Sequence, residues 1–267
     1  MGRTVFYEGR FVRKVLLCNG HEGTLLDGRI IRGSIPACGV CCRTGEERRL
    51  LRIVSWNCNG KFREKRQRLY AQFPADVYII QECEKPEKYG IEYNGVWMGN
   101  SEHRGLGVFV SDRLAWTVVE QDSHGKQFFC PVQIGEYLLI AVWAKAPYIE
   151  EVMDYFSVNE SLLRHNAIVM GDLNSNVIWD RKHGMRDHSS FNRLTGRYGL
   201  VSAYHTVTGD MFGSESAPTF YMYRHAHRPY HIDYAYLQRG NLLDFGVGSV
   251  DDWLAYSDHM PIWLDVK

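Results

Sequence analysis

The sequence predicts a mixed α/β domain, with packed sheets and helices outside them, and three observations carry that prediction. Strand-like runs outnumber helix-like ones; hairpin-like neighbours mix with helical crossovers; and the 267 residues, 45% hydrophobic and 13% aromatic, are ample for a buried core.

Taken in order from residue 51, LRIVSW reads as a strand and residues 61–73 as a charged amphipathic helix. DVYIIQE is a second strand, and GVFV, WTVV and YLLIAVW are further ones. Residues 149–164 carry apolar side chains at helical spacing, residues 167–170 form a buried strand, and residues 188–198 a helix. Runs at 219–223, 231–237, 243–250 and 260–266 close the chain as strands. No internal repeat or low-complexity tract is visible.

Residues 1–50 differ. They are rich in Gly and Arg and weakly periodic, and a polar TGEERR stretch separates them from the body, which places a boundary near residue 50. The reading favoured for this segment is a disordered or misassigned extension. A second reading is a small zinc ribbon, because Cys18 and His21, then Cys38 and Cys41, make two knuckles fit for one tetrahedral Zn²⁺.

The formal net charge is zero, with 31 basic and 31 acidic residues, but it is unevenly shared. Residues 1–50 hold nine basic and five acidic residues, which leaves 22 basic and 26 acidic in residues 51–267. An acidic body argues against blanket attraction to nucleic acid, so an anionic substrate must be held locally by basic loops or a metal. No apolar run approaches the roughly 18 residues that span a bilayer. The amino end lacks the apolar middle of a signal peptide, and seven cysteines make an odd count, so the expectation is a cytoplasmic monomer without a disulfide framework.

Several strands of the body end alike, in an apolar run followed by residues fit to hold a metal or a phosphate. WNCNG follows the first strand, QE ends the second, GDLN follows residues 168–170, HIDY opens a later strand, and SDHMP precedes the last. A carboxylate at the mouth of a buried strand is costly to desolvate unless it has a partner or a task. Asp172 and Asn174, two apart in an extended stretch, can face one site together. Each motif alone is weak, since an Asp at a strand end is commonly a turn or cap. Five in this order are specific.

With SWNCNG, IIQE, GLGVF, GDLNSN, HIDY and SDHMP in that order, residues 51–267 resemble the endonuclease/exonuclease/phosphatase superfamily, which includes exonuclease III, apurinic endonucleases and deoxyribonuclease I. The resemblance implies a four-layer sandwich of two packed mixed β-sheets flanked by helices, with the site at one edge. It implies divalent-metal-dependent hydrolysis of a phosphodiester. By that resemblance Asp172 is expected to orient and deprotonate the attacking water, Asn174 to hold a phosphate oxygen, and His259, oriented or kept charged by Asp233, to touch the phosphate from the other side. Glu82 is the foremost metal ligand, completed by Asp258, Asn57 and Asn59. Such a hard oxygen set suits Mg²⁺ or Mn²⁺.

The chain departs from that pattern in two places. Where some nucleases of the family carry a Tyr and then Pro-Asn, this one reads Trp143-Ala-Lys145, which gives two equal readings: substrate-binding residues with Lys145 a replacement phosphate contact, or a core Trp143 beside a solvated Lys145. His231 stands where an Arg often precedes the Ile-Asp-Tyr. Both weaken a strict abasic-site assignment and leave hydrolysis untouched. Basic loops with interleaved aromatics, including Arg181 after GDLNSN and Arg228 before HIDY, suit a nucleic-acid backbone and unpaired bases. The cations of residues 61–68 read equally well as the wet face of a helix. Nuclease is the favoured reading, DNA over RNA by family precedent alone. Its alternatives are a phosphatase or phosphodiesterase for a small metabolite or lipid, and a catalytically silent nucleic-acid-binding module.

Overall fold

The computed structural model of the chain describes residues 50–164 and 166–267, together with four strands inside the first 49 residues. Cys18, His21, Cys38 and Cys41, the candidate zinc ligands, lie outside the described residues. The chain divides into two units, Met1–Glu47 and Arg48–Lys267. In the first, β1 (Thr4–Tyr7), β2 (Arg10–Leu16), β3 (Glu22–Leu26) and β4 (Arg29–Ile31) pair successively as an antiparallel meander.

The second unit is built on two six-stranded mixed sheets. One contains β5 (Leu51–Asn57), β6 (Val77–Cys83), β7 (Gly95–Ser101), β8 (Arg104–Val110), and the final β17 (Leu242–Val247) and β18 (Ile262–Val266). Their spatial order is β17-β18-β5-β6-β8-β7. The other contains β9 (Trp116–Val118), β10 (Phe129–Ile134), β11 (Tyr137–Trp143), β12 (Ala167–Asp172), β13 (Leu200–Ser202) and β16 (Asp233–Gln238). Its order is β13-β16-β12-β11-β10-β9. A short hairpin, β14 (Phe220–Tyr221) with β15 (Pro229–Tyr230), stands apart.

Both faces of each sheet are covered, which is why the central strands read as continuous apolar runs. Alternate residues face opposite ways. Ile53 and Ile79 of the first sheet meet Leu139, Ile168 and Met170 of the second in the core between them. Their neighbours Val54 and Ile80 pack outward with Leu69 of α1 (Phe62–Gln72) and Trp253 of α5 (Val250–Trp253). On the far side, Val142 and Val169 meet Tyr155 and Phe156 of α2 (Ile149–Val158) and Phe191 of α3 (His188–Arg197). A short α4 (Ala203–Thr208) follows β13. The result is the four-layer sandwich expected from the resemblance. No helix among the described residues is long and apolar enough to cross a membrane.

One expected strand is corrected. Residues 219–223 do not extend as one: pairing stops after Tyr221, and Tyr223 and Arg224 take left-handed φ angles of 56° and 57°.

Candidate active site

β5 and β6 run parallel, as do β11 and β12, so four strands release their chains at one edge of the sandwich. β16 and β18 run antiparallel to β12 and β5 and begin at that same edge. This topology brings together five motifs that are scattered along the sequence.

Asp172 ends β12. It is fully buried, and the glycine before it is obligatory: Gly171 has φ 147°, and a Cβ there would lie 2.0 Å from the Val142 carbonyl oxygen of β11. The Asp172 carboxylate accepts three hydrogen bonds: from the Asn174 backbone N–H to Oδ1 at 2.9 Å, and to Oδ2 from Asn174 Nδ2 at 3.1 Å and Asn57 Nδ2 at 3.0 Å. The last of these crosses from one sheet to the other. Asn174 Nδ2 also donates to the Ala144 carbonyl at 3.0 Å, so in this structure its amide donors fix Asp172.

Strand register sets Asp233 of β16 directly opposite Asp172. Two carboxylates so placed repel unless something stands between them. His259 does: Nδ1 donates to Asp233 Oδ2 at 3.0 Å, and Nε2 lies 3.9 Å from Asp172 Oδ2. Burial would pull the imidazole pKa down, but the Asp233 and Asp172 charges outweigh it and hold it up at about 10. Burial pushes Asp172 up to about 7; the His259 charge opposes this, Asp233 adds to it, and the hydrogen bonds from Asn57 and Asn174 oppose it. A base tuned near neutrality beside a held cation is fit for proton abstraction next to an anion.

Glu82 sits at a β-bulge between Gln81 and Cys83 with φ 58°, and its carboxylate pairs with Arg104 at 3.1 Å. Bulges beside active sites commonly re-aim a side chain. Asp258 accepts from Asn59 Nδ2 at 3.0 Å, and Asn57 Oδ1 accepts the Asn59 N–H at 3.1 Å, which ties the first motif to the last. Among the described residues, the one acid and imidazole cluster with ligand atoms close enough to share an ion is Asp172, Asp233 and His259. His259 Nδ1 is engaged by Asp233 and its Nε2 faces Asp172, an arrangement that fits a hydrogen-bonded catalytic group. Glu82, Asp258, Asn57 and Asn59 offer only oxygen ligands at adjoining strand ends, a donor set that fits a hard divalent ion.

The substrate-binding candidates divide. Trp143 is corrected: its ring is buried between the sheets against Phe128 at 4.7 Å, because β11 carries it on the inner face. Lys145, two residues on, is exposed and lays its ammonium 3.9 Å from the Trp143 ring centroid, beside the Ala144 amide that donates to the Asp172 carbonyl. His231 is also corrected. It is buried against Tyr204, with Nδ1 2.9 Å from the Ala217 carbonyl, and burial pulls its pKa down to about 4. Arg181, in a short 3-10 helix over Val177–Lys182, and Arg228, in a bend, are exposed.

Two supporting residues were missed. Buried Thr219 accepts both the Ile232 and the Asp233 N–H on Oγ1 at 3.0 Å, fixing the start of β16. Buried Ser257 donates to the Asn57 carbonyl at 2.7 Å and accepts the His259 N–H at 3.1 Å. Ser257 stands inside SDHMP, but a hydroxyl that mainly ties backbone groups distant in sequence leaves no pattern of its own in a sequence.

The sequence model described as Endonuclease/Exonuclease/phosphatase family matches residues 54–259. A search of curated proteins gave no match. Among solved structures, a 3′ phosphatase, NExo, from Neisseria, bound to product DNA hairpin, is similar at TM-score 0.60 and 17% identity, covering 81% of this chain and 99% of that one. The AP endonuclease LMAP from Leishmania major is similar at TM-score 0.63 and 12% identity, covering 82% and 88%. An AP endonuclease from Archaeoglobus fulgidus gives 0.58 and 16%, covering 80% and 98%.

Proposed function

The chain belongs to the endonuclease/exonuclease/phosphatase family and is a hydrolase acting on phosphoester bonds, and we propose that it hydrolyses the backbone of nucleic acid, with DNA as the polymer. One observation carries the mechanism: His259 is held between Asp233 and Asp172, all three buried, where the strand ends converge.

In this reading Asp172 orients a water for in-line attack and takes its proton. Asn174 and Asn57 keep the carboxylate aimed, and Asn174 reaches a phosphate oxygen by exchanging one of its present bonds. His259 presents a charged imidazole to the phosphate, held in that state by Asp233. A divalent ion, Mg²⁺ or Mn²⁺, held by Glu82 with Asp258, Asn57 and Asn59, would neutralise phosphate charge and stabilise the leaving oxygen. Lys145 supplies a cation at the lip beside Asp172.

The nucleic-acid assignment draws on exposed basic residues, Arg181, His225, His227 and Arg228, outside the catalytic group, and on the DNA bound by the Neisseria relative. The test is cleavage of labelled duplex, single-stranded and abasic-site DNA with Mg²⁺, Mn²⁺ or chelator, wild type beside Asp172→Asn. Metal-dependent cutting reduced about 10²–10⁴-fold in the variant is expected for loss of the general base. Absence of cutting on DNA and RNA, with turnover of a small phosphorylated metabolite, would overturn the substrate assignment while sparing the family's chemistry.

A further inference from the structure

The cations of α1, which the sequence left between a ligand surface and a wet helix face, prove to be mostly structural. Arg63 pairs with Glu84 at 3.2 Å and lies over the Tyr89 ring. Lys65 donates to the Cys58 carbonyl at 2.6 Å. Arg68 donates to the Asp252 carbonyl at 3.1 Å and lies over Tyr256. Arg66 differs. Among the described residues it has no carboxylate at ion-pair distance. With no carboxylate of the chain paired to it, the Arg66 guanidinium, whose planar fork matches phosphate, is left to pair with an anion from outside.

Arg66 lines a cleft of about 480 Å³ whose wall is aromatic, with Phe62, Tyr70, Tyr93 and Phe109. That volume lies within the roughly 300–1,000 Å³ usual for small-molecule sites. The Phe62 and Phe109 rings are parallel within 2°, and Tyr93 meets Phe109 edge-on at 5.3 Å. The cleft also reaches the exposed carboxylates of Glu92 and Asp112. An aromatic wall calls for a planar ring, the guanidinium for an anion attached to it, and the carboxylates for N–H donors on the ring. A nucleobase that carries amino groups and is linked to a phosphate meets all three demands. A simple aromatic acid lacks the donors, and a bare phosphate lacks the ring.

We propose that this cleft binds a nucleoside monophosphate unit, with the phosphate on Arg66 and the base against the aromatic wall. Asp172, Asp233, His259 and Glu82 are absent from its lining, so the site goes beyond the catalytic reading and stands or falls separately. The unit can come from a free mononucleotide or from the 5′-phosphorylated end of a strand, and the experiment separates these sources.

Full-length protein in chelator is titrated calorimetrically with adenosine 5′-monophosphate, adenosine, inorganic phosphate and a 5′-phosphorylated deoxyadenosine oligonucleotide. The comparison is wild type against Arg66→Gln. The mononucleotide is expected to bind at one site, with adenosine and phosphate each weaker. Arg66→Gln should weaken the mononucleotide by about tenfold or more, the usual effect of losing a charged hydrogen bond. Its melting temperature and phosphodiester cleavage should match wild type. An oligonucleotide that competes with the mononucleotide assigns the site to strand ends; one that does not assigns it to the free nucleotide. Mononucleotide binding that is undetectable at millimolar concentration, no tighter than that of phosphate, or unchanged in Arg66→Gln overturns the proposal. Binding lost in Arg66→Gln from a protein that cuts no phosphodiester would instead count against the catalytic reading alone.

Discussion

In the proposed mechanism Asp172 meets two opposed demands, since a base must be ionised to accept a proton yet must not sit so low that it holds the proton weakly. Burial answers the second, raising the carboxyl to about 7, and the charged His259 with the Asn57 and Asn174 donors keeps it from rising further. Cleavage should therefore increase as pH rises through about 7, where the carboxylate forms, and decline towards about 10, where His259 loses its proton. Asp233 is the largest of the influences that hold His259 up, so Asp233→Asn should move the alkaline limb to lower pH. A pH–rate profile of the two proteins decides it, and an alkaline limb that stays in place would remove Asp233 from the role of charge partner. Glu82→Ala should shift the metal titration of activity to higher concentration, while Asp172→Asn should leave that midpoint near wild type.

At the scale of elements, the site depends on how closely β12 approaches β11. Gly171→Ala forces a Cβ into the Val142 carbonyl oxygen and into a φ of 147° that side chains rarely adopt. Overpacking and backbone strain together predict a loss of about 3 kcal/mol. Denaturant unfolding would show it as a lowered midpoint at constant slope, whereas an unchanged midpoint would mean that the two strands can part. The same elements explain what the sequence could and could not disclose. Strand ends were legible because GDLN, HIDY and SDHMP place polar residues abruptly after or before apolar runs, and topology then gathers such ends at one edge. β10 was not, because Pro131 interrupts its apolar run and reads as a breaker. β7 was not, because its run GVWMGNS holds two glycines and ends polar. Trp143 and His231 stand among the substrate-binding candidates because some nucleases of the family carry a Tyr and an Arg there, yet both are buried, Trp143 against Phe128 between the sheets and His231 against Tyr204, and that burial depends on partners distant in sequence. Thr219 and the unpaired state of Arg66 depend on partners distant in sequence, which no local pattern encodes.

Across the whole molecule, buried titratable groups bind protons differently in the folded and unfolded chain, and their sum sets how stability follows pH. Burial pulls His188 down to about 3 and His231 to about 4, so below the ordinary value of 6.5 the unfolded chain takes two protons that the folded one refuses. Each such group makes stability fall by about 1.4 kcal/mol per pH unit of acidification. Asp172 acts in the opposite sense: raised from 3.8 to about 7, it is protonated in the folded chain and ionised in the unfolded one between those values, which cancels one histidine. From these buried groups, stability should therefore rise by about 1.4 kcal/mol per unit as pH climbs from about 4 to 6.5. Above 6.5 the balance reverses. His259, raised to about 10, keeps a proton that the unfolded chain has released, so its contribution is complete below 6.5 and is lost as pH rises towards 10. The expected outcome is a stability maximum near pH 6.5. His188 bridges Ser175 and Tyr236 in the interior, away from the catalytic group, so His188→Gln should lower the plateau yet flatten the acid flank by one proton's worth of slope. Denaturant unfolding of both proteins between pH 4.5 and pH 6.5 measures that difference in slope, and equal slopes would mean that His188 is protonated alike in both states.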